Sequence, residues 1–249
     1  MRHHLLAYGA AALDATAGDV QLVAVADQLF NRANNNFQIP SPHRMLWARA
    51  GGATLTRSRF NTGSLRAKGF PQIYPIDTAV LPVSPQYVMD LRKYPIYLRQ
   101  EEDVRVDVTN TAANTAAVLA AITPDVDNYN LNKRDLRWLR FTLTVTAVAL
   151  GWSSLGSVVF QDTLEGGIYE VYGMAIQGAA VIAARLVFQN DPYRPGCLGQ
   201  AALGDKNHEL FNGGLGKWGE FNTYSVPQIE TFETGAGAST PVGWLLCGK

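Results

Sequence analysis

The side chains able to do chemistry are few in this chain and stand far apart. Four histidines and two cysteines are spread over 249 residues. His3 and His4 adjoin near the start, His43 lies between Pro42 and Arg44, and His208 precedes Glu209. A zinc-protease helix needs two histidines one turn apart with a glutamate between them, and His208-Glu209 lacks the second histidine. The histidines therefore read as surface or capping residues. Cys197 and Cys247 do not form the recognisable pairs of a disulfide scaffold or a zinc module. They read as two unpaired, partly buried thiols, with one bridge between them left open.

Two glycine-bearing stretches approach known motifs and miss them. Gly151-Trp-Ser-Ser-Leu-Gly156 has the serine of a nucleophile elbow but Leu155 where the second glycine belongs, so it reads as a hairpin corner packing Trp152. Gly213-Gly-Leu-Gly-Lys217 has the glycines of a phosphate loop, yet Trp218 follows the lysine where Ser or Thr is required. The glycines there are expected to let the backbone turn while Trp152, Trp218 and Phe221 pack a barrel end. Asp125, Asp127, Asn128 and Asn130 offer hard oxygen ligands on one loop, suited to a structural calcium ion. The turn glycine and closing glutamate of an EF-hand are missing, and a solvated linker is the plainer reading. The sequence assigns no catalytic residue, no cofactor and no metal site.

Charge is distributed unevenly. No acidic residue falls between Asp27 and Asp77, whereas Arg32, Arg44, Arg49, Arg57, Arg59, Arg66 and Lys68 all do. Brought to one face, these would make a positive patch for phosphate, on nucleic acid or lipid headgroups. The competing reading pairs them with Glu101-Glu-Asp103 of a neighbouring subunit, and the predominance of arginine suits such a fixed interface. We prefer the interface.

The elements that must carry these residues are strands. Leu139 to Leu150 alternates apolar with small or polar residues, placing Thr142, Thr144 and Thr146 on one face. Val104 to Val108 alternates in the same way and can pair back with Ala116 to Ile122 through the intervening turn. Further strands are expected at Ser157–Phe160, Gly167–Tyr172, Ala179–Phe188, Gln228–Phe232 and Val242–Cys247. Five prolines between Pro71 and Pro95 exclude long helices there. Short strands separated by turn signals, with no strand–helix alternation, give an all-β chain of sandwich or jelly-roll type. The expected organisation is an N-terminal arm over 1–17, a first jelly roll over 18–123, a linker over 124–135 and a second jelly roll over 136–249.

The formal charge is zero and the charged fraction 17%, below the usual value of about 25%. Such a chain is no electrostatic binder of nucleic acid as a whole, and its sparse surface charge suits an oligomer. The apolar start is broken by Tyr8 and Gly9, so a cleaved leader is not expected, and the most apolar runs are too short to span a bilayer as a helix.

Several stretches then recur in a familiar order: Leu164-Glu-Gly-Gly-Ile-Tyr-Glu-Val-Tyr-Gly173, Ala183-Ala-Arg-Leu-Val-Phe188, Arg194-Pro-Gly196, Gly214-Leu-Gly-Lys-Trp-Gly-Glu-Phe221 and Pro227-Gln-Ile-Glu230. In strand-and-turn texture this second half resembles the C-terminal barrel of the double jelly-roll major capsid proteins of tailless, membrane-containing icosahedral bacteriophages. The resemblance implies two jelly-roll barrels side by side in one chain and trimers forming pseudo-hexagonal capsomers. It also implies a virion shell, assembled in the host cytoplasm, that tiles a lipid membrane. The partners it implies are further copies of the chain, neighbouring capsomers, penton or minor capsid proteins, and lipid or nucleic acid on the inner face. At 249 residues the chain is compact for two eight-stranded barrels, which keeps a single enlarged jelly roll with an N-terminal arm as the alternative.

A second class of function competes: a β-sandwich carbohydrate-binding module, with Trp47, Trp138, Trp152, Trp218 and Trp244 supplying a stacking platform. A jelly-roll enzyme of the cupin kind would need a histidine-rich metal site, against which four dispersed histidines argue.

Overall fold

The computed structural model describes residues 2–15, 18–66, 72–82, 87–125, 136–201 and 216–249. The chain is all-β, and its one described α-helix is a single turn at Gly63–Arg66. It divides into two compact units, one formed by Leu6–Asp125 and the other by Val126–Lys249 together with Met1–Leu5.

Beside several two-residue strands, the principal strands of the Leu6–Asp125 unit are β1 (His4–Leu13, whose first two residues belong to the other unit), β2 (Asn36–Gln38), β3 (His43–Gly51), β4 (Leu55–Asn61), β5 (Ile96–Leu98), β6 (Asp103–Asn110) and β7 (Asn114–Pro124). One sheet runs β1-β7-β3-β5 and the other β2-β6-β4. An eight-stranded jelly roll orders its sheets first-eighth-third-sixth and second-seventh-fourth-fifth. The unit follows that order, with the fifth position reduced, among the described residues, to a bridge between Arg59 and Gln72 beside β4. The alternation in β6 turns Val104, Val106 and Val108 inward to meet Leu6, Tyr8, Phe37, Met45, Phe60 and Ile122 in one apolar core. The Tyr8 hydroxyl crosses that core to donate to the Val104 carbonyl at 2.9 Å.

The other unit has all eight positions: β8 (Leu136–Thr142), β9 (Gly156–Ser157), β10 (Ile168–Gln177), β11 (Val181–Val187), β12 (Gly196–Gln200), β13 (Gly219–Asn222), β14 (Gln228–Glu233) and β15 (Val242–Gly248). Its sheets run β8-β15-β10-β13 and β9-β14-β11-β12. A short parallel pairing of Ile176 with Gly199 and Gln177 with Gln200 joins them into a nearly closed barrel. Jelly-roll order thus occurs twice in one chain.

Four sequence expectations need correction. Residues 4–13, expected within a loose arm, form β1, whose first five residues are buried. The large side chains His4, Leu5, Leu6 and Tyr8 are among the buried ones, whereas the small run over 9–12 that suggested an arm is half-buried or exposed. The expected hairpin of Val104–Val108 with Ala116–Ile122 does not form, because β6 pairs with β4 and β7 pairs with β3 in the opposite sheet. Alternation fixes which face a strand buries but not its partner. The expected strand over 139–150 breaks after Thr142; Val145–Ala147 pairs with Gly237–Ser239, and Leu150 turns the chain at φ 49°. The histidines are not surface groups either: His3, His4 and His43 are buried, while His208 lies outside the described residues.

Candidate functional site

Of the arginines that would form a positive patch if they shared a face, Arg49 at least is not on the surface. Arg49 on β3 has no exposed side-chain surface and is held inside the chain, so it is neither a phosphate contact nor a subunit contact. Its Nε and Nη2 donate to the Asp77 carboxylate at 3.2 and 2.6 Å, and its Nη1 and Nη2 donate to the Val80 and Ala79 carbonyls at 2.9 Å each. A guanidinium with its donors so occupied anchors the 77–80 turn to β3. Arg57 and Arg59 project from the same side of β4 onto Asp19, with Arg57 Nη2 at 2.5 Å from its carboxylate. Thr109 on the neighbouring strand donates to the same carboxylate at 2.8 Å. Burial pushes the Asp19 carboxyl up, but the Thr109 hydroxyl and the two guanidiniums outweigh it and hold the group below its ordinary value. Arg44 on β3 stands opposite Tyr97 and Thr123. Arg66 ends the helical turn, and Lys68 lies outside the described residues. Glu102, one of the acids expected to meet these arginines from a neighbour, instead accepts the Ser64 N–H at 2.7 Å and the Arg99 N–H at 3.0 Å.

A buried polar cluster lies in the Val126–Lys249 unit, and the sequence reading missed it. Glu230 on β14 accepts from Arg185 Nε on β11 at 2.7 Å and from Arg194 Nη1 at 2.5 Å, all three side chains being nearly or fully buried. The Arg185 guanidinium also sits 3.9 Å over the Trp152 ring. Arg2–Leu5 runs into this cluster. Leu5 N–H donates to the Arg194 carbonyl at 3.1 Å, and Arg185 Nη1 donates to the Leu5 carbonyl at 3.4 Å. His4 Nδ1 accepts the Arg194 N–H at 3.1 Å, and His3 Nε2 accepts the Gly196 N–H at 3.2 Å. The signal available in the sequence was two adjacent histidines beside an apolar run. Nothing local to them points to partners some 190 positions away.

Trp218 and Phe221 pack as apolar side chains at one end of β13. Trp218 meets the His3 ring edge-on at 4.8 Å between centroids, and Phe221 stacks between Tyr169 and Phe160 at 5.5 and 5.8 Å. Trp152 tilts against Phe232 at 5.4 Å. Trp47 is buried in β3. On β8, Leu136, Trp138 and Arg140 alternate outward, and Trp138 stands opposite Leu246 and Arg140 opposite Trp244 on β15. Trp138 is 39% exposed and Leu136 41%, with the half-buried Trp244 partly covered by Arg140 at 5.7 Å.

Both cysteines are buried free thiols, and burial pushes both up, Cys247 to about 12. Among the described residues no group of three or more His, Cys, Asp or Glu side chains could hold a metal ion. Of the expected calcium ligands, Asp127, Asn128 and Asn130 lie outside the described residues. Among the described helices none is long and apolar enough to cross a membrane.

These features define an all-β, jelly-roll chain whose visible polar clusters tie strands and turns together. No family model matches it, and neither a curated protein nor a solved structure was found to match.

Proposed function

We propose that this chain is a structural coat protein, a major capsid protein that self-assembles as trimeric, pseudo-hexagonal capsomers into an icosahedral virion shell. The observation that carries the reading is the repetition of jelly-roll strand order within one chain. Two such units double the number of stiff β-walls that a subunit can offer to its neighbours, and the nearly closed barrel of the Val126–Lys249 unit leaves few edges for uncontrolled pairing. The resemblance of the second half to phage coat barrels and the sparse surface charge support the same conclusion. The role is not enzymatic, and its partners are further copies of the chain, neighbouring capsomers and penton or minor capsid proteins, with lipid or nucleic acid on the inner side.

A second reading, a carbohydrate-binding β-sandwich, is favoured by one observation: Trp138 and Trp244 lie on the outward side of β8 and β15. Tryptophan faces stack on sugar rings, and an exposed apolar sheet face equally suits a neighbouring subunit. Light scattering on the native protein followed by electron microscopy of the same sample separates the two. Particles at three times 27.1 kDa, or shells, are expected. A monomer that stays monomeric at high concentration would sink the coat reading and direct attention to glycan screens.

A further inference from the structure

We propose that Arg2–Leu5 is an acid-released clasp, docked in the Val126–Lys249 unit while His3 and His4 are neutral and freed when they take up protons. The inference holds whether or not the chain forms a shell.

The geometry dictates the charge state. A neutral imidazole has one donor and one acceptor nitrogen, whereas imidazolium has two donors and no acceptor. His3 uses Nε2, and His4 uses Nδ1, to accept a main-chain N–H, from Gly196 and Arg194 respectively. Protonation at either nitrogen turns an attraction between donor and acceptor into a clash of two donors. Both rings are fully buried, so water cannot take over the lost bond. His3 Nδ1 has no hydrogen-bond partner among the described residues, and the ring lies edge-on against Trp218. The slot fits closely: a Cβ on Gly196 would come within 2.7 Å of the Leu5 side chain.

The charged and titratable groups around the slot come from every element that packs there. Asp191, which pairs with Arg2 at 3.4 Å, Tyr193, whose ring meets His4, and Arg194 flank it on the stretch leading into β12. Arg185 comes from β11, Glu230 from β14, and Lys217 adjoins Trp218, bound to Glu170 and Glu220. Inside the cluster one carboxylate, Glu230, binds both guanidiniums. It is their shared counter-ion.

Burial is the main cause that lowers His3 from 6.5 to about 3. The docked segment therefore binds fewer protons than the free one. Docking is at full strength above pH 6.5. Below it, docking weakens tenfold for each pH unit until His3 itself protonates in place near pH 3. Between pH 8 and pH 5 the His3 contribution alone shifts the opening equilibrium about thirtyfold. This window lies above the ordinary carboxylate range, so unpairing of acids does not imitate it.

Hydrogen exchange on the full chain, corrected for the intrinsic pH dependence of exchange, tests the clasp. The amides of Leu5, Arg194 and Gly196 report directly, because each is bonded across the docked segment. Their protection is expected to fall about thirtyfold or more from pH 8 to pH 5, while that of β11 stays constant. The double variant His3→Gln, His4→Asn keeps an acceptor oxygen at each position and does not titrate, so its protection should be level across the range. Flat protection in the wild type, or an equal loss in the double variant, overturns the proposal. If the variant fails to dock at pH 8, imidazole NMR of the wild type decides. A His3 that remains neutral while docked supports the clasp, and one that titrates near 6.5 without losing protection overturns it.

Discussion

Arg49 and Asp77 meet through two guanidinium donors, Nη2 at 2.6 Å and Nε at 3.2 Å, with neither side chain reaching solvent. Burial holds Arg49 below its ordinary value, and the Asp77 carboxylate offsets part of that effect. Removing one partner leaves an uncompensated charge in the interior. Asp77→Ala is expected to lower unfolding free energy by about 3–5 kcal/mol, measured by chemical denaturation. The double replacement Arg49→Met, Asp77→Leu should recover much of that loss. A double variant no more stable than the single one would mean that the carbonyl contacts to Ala79 and Val80 dominate.

Gly243 shows how closely β15 packs. A Cβ there would lie 2.3 Å from the Phe141 ring and 2.8 Å from the Ala175 carbonyl oxygen, on strands to either side. Gly243→Ala is expected to cost about 1–3 kcal/mol in a thermal or denaturant melt. At Gly235 a Cβ would meet nothing within 4 Å, so Gly235→Ala should change stability by less than about 0.5 kcal/mol.

Asp19 supplies a pH signature of its own. Its carboxyl is held below the ordinary range by Thr109, Arg57 and Arg59 against the opposing effect of burial. A depressed carboxylate stabilises the fold above its unfolded pKa, and that contribution fades as pH falls through the lower, folded value. The stability difference between wild type and Asp19→Asn should therefore be constant from pH 7 to about pH 5 and shrink towards zero in stronger acid. Denaturant titrations at a series of pH values measure it. A difference that grows on acidification would contradict the assignment.

Cys197 and Cys247 should be inert in the native chain. Both thiols are buried, and burial raises them away from the thiolate form that reacts. An aromatic disulfide reagent at pH 8 is expected to label neither thiol in the native protein and both after unfolding. Rapid labelling of either one under native conditions would show that β12 or β15 opens locally.

The legible part of the fold was local. Val104, Val106 and Val108 alternate in sequence and lie in the core, and Leu139 and Phe141 do the same on β8. Val242–Cys247 shows the same alternation, while the strands around Gly167–Tyr172, Ala179–Phe188 and Gln228–Phe232, buried on both faces, were legible as short apolar runs between turn signals. β7 hid its partner because Ala116 to Ile122 is buried on both faces, which removes the alternation that marks a one-sided strand. β12 and β13 were masked by their glycines: Gly199 is required where the Val181 carbonyl approaches, and Gly219 where the Phe188 ring does.

The sequence by itself determined the all-β class, the inward faces of its clearest strands, and the absence of any familiar spacing for catalysis. Side-chain periodicity and turn chemistry are properties of neighbours along the chain, so a linear reading can reach them. Only the tertiary structure decided that jelly-roll order occurs twice, that Arg49 turns inward to Asp77, and that His3 and His4 pack against Arg194 and Gly196. Those partners are chosen by which buried donors and acceptors can satisfy one another across the core. That competition takes place between segments far apart in sequence and leaves no mark in the spacing of residues.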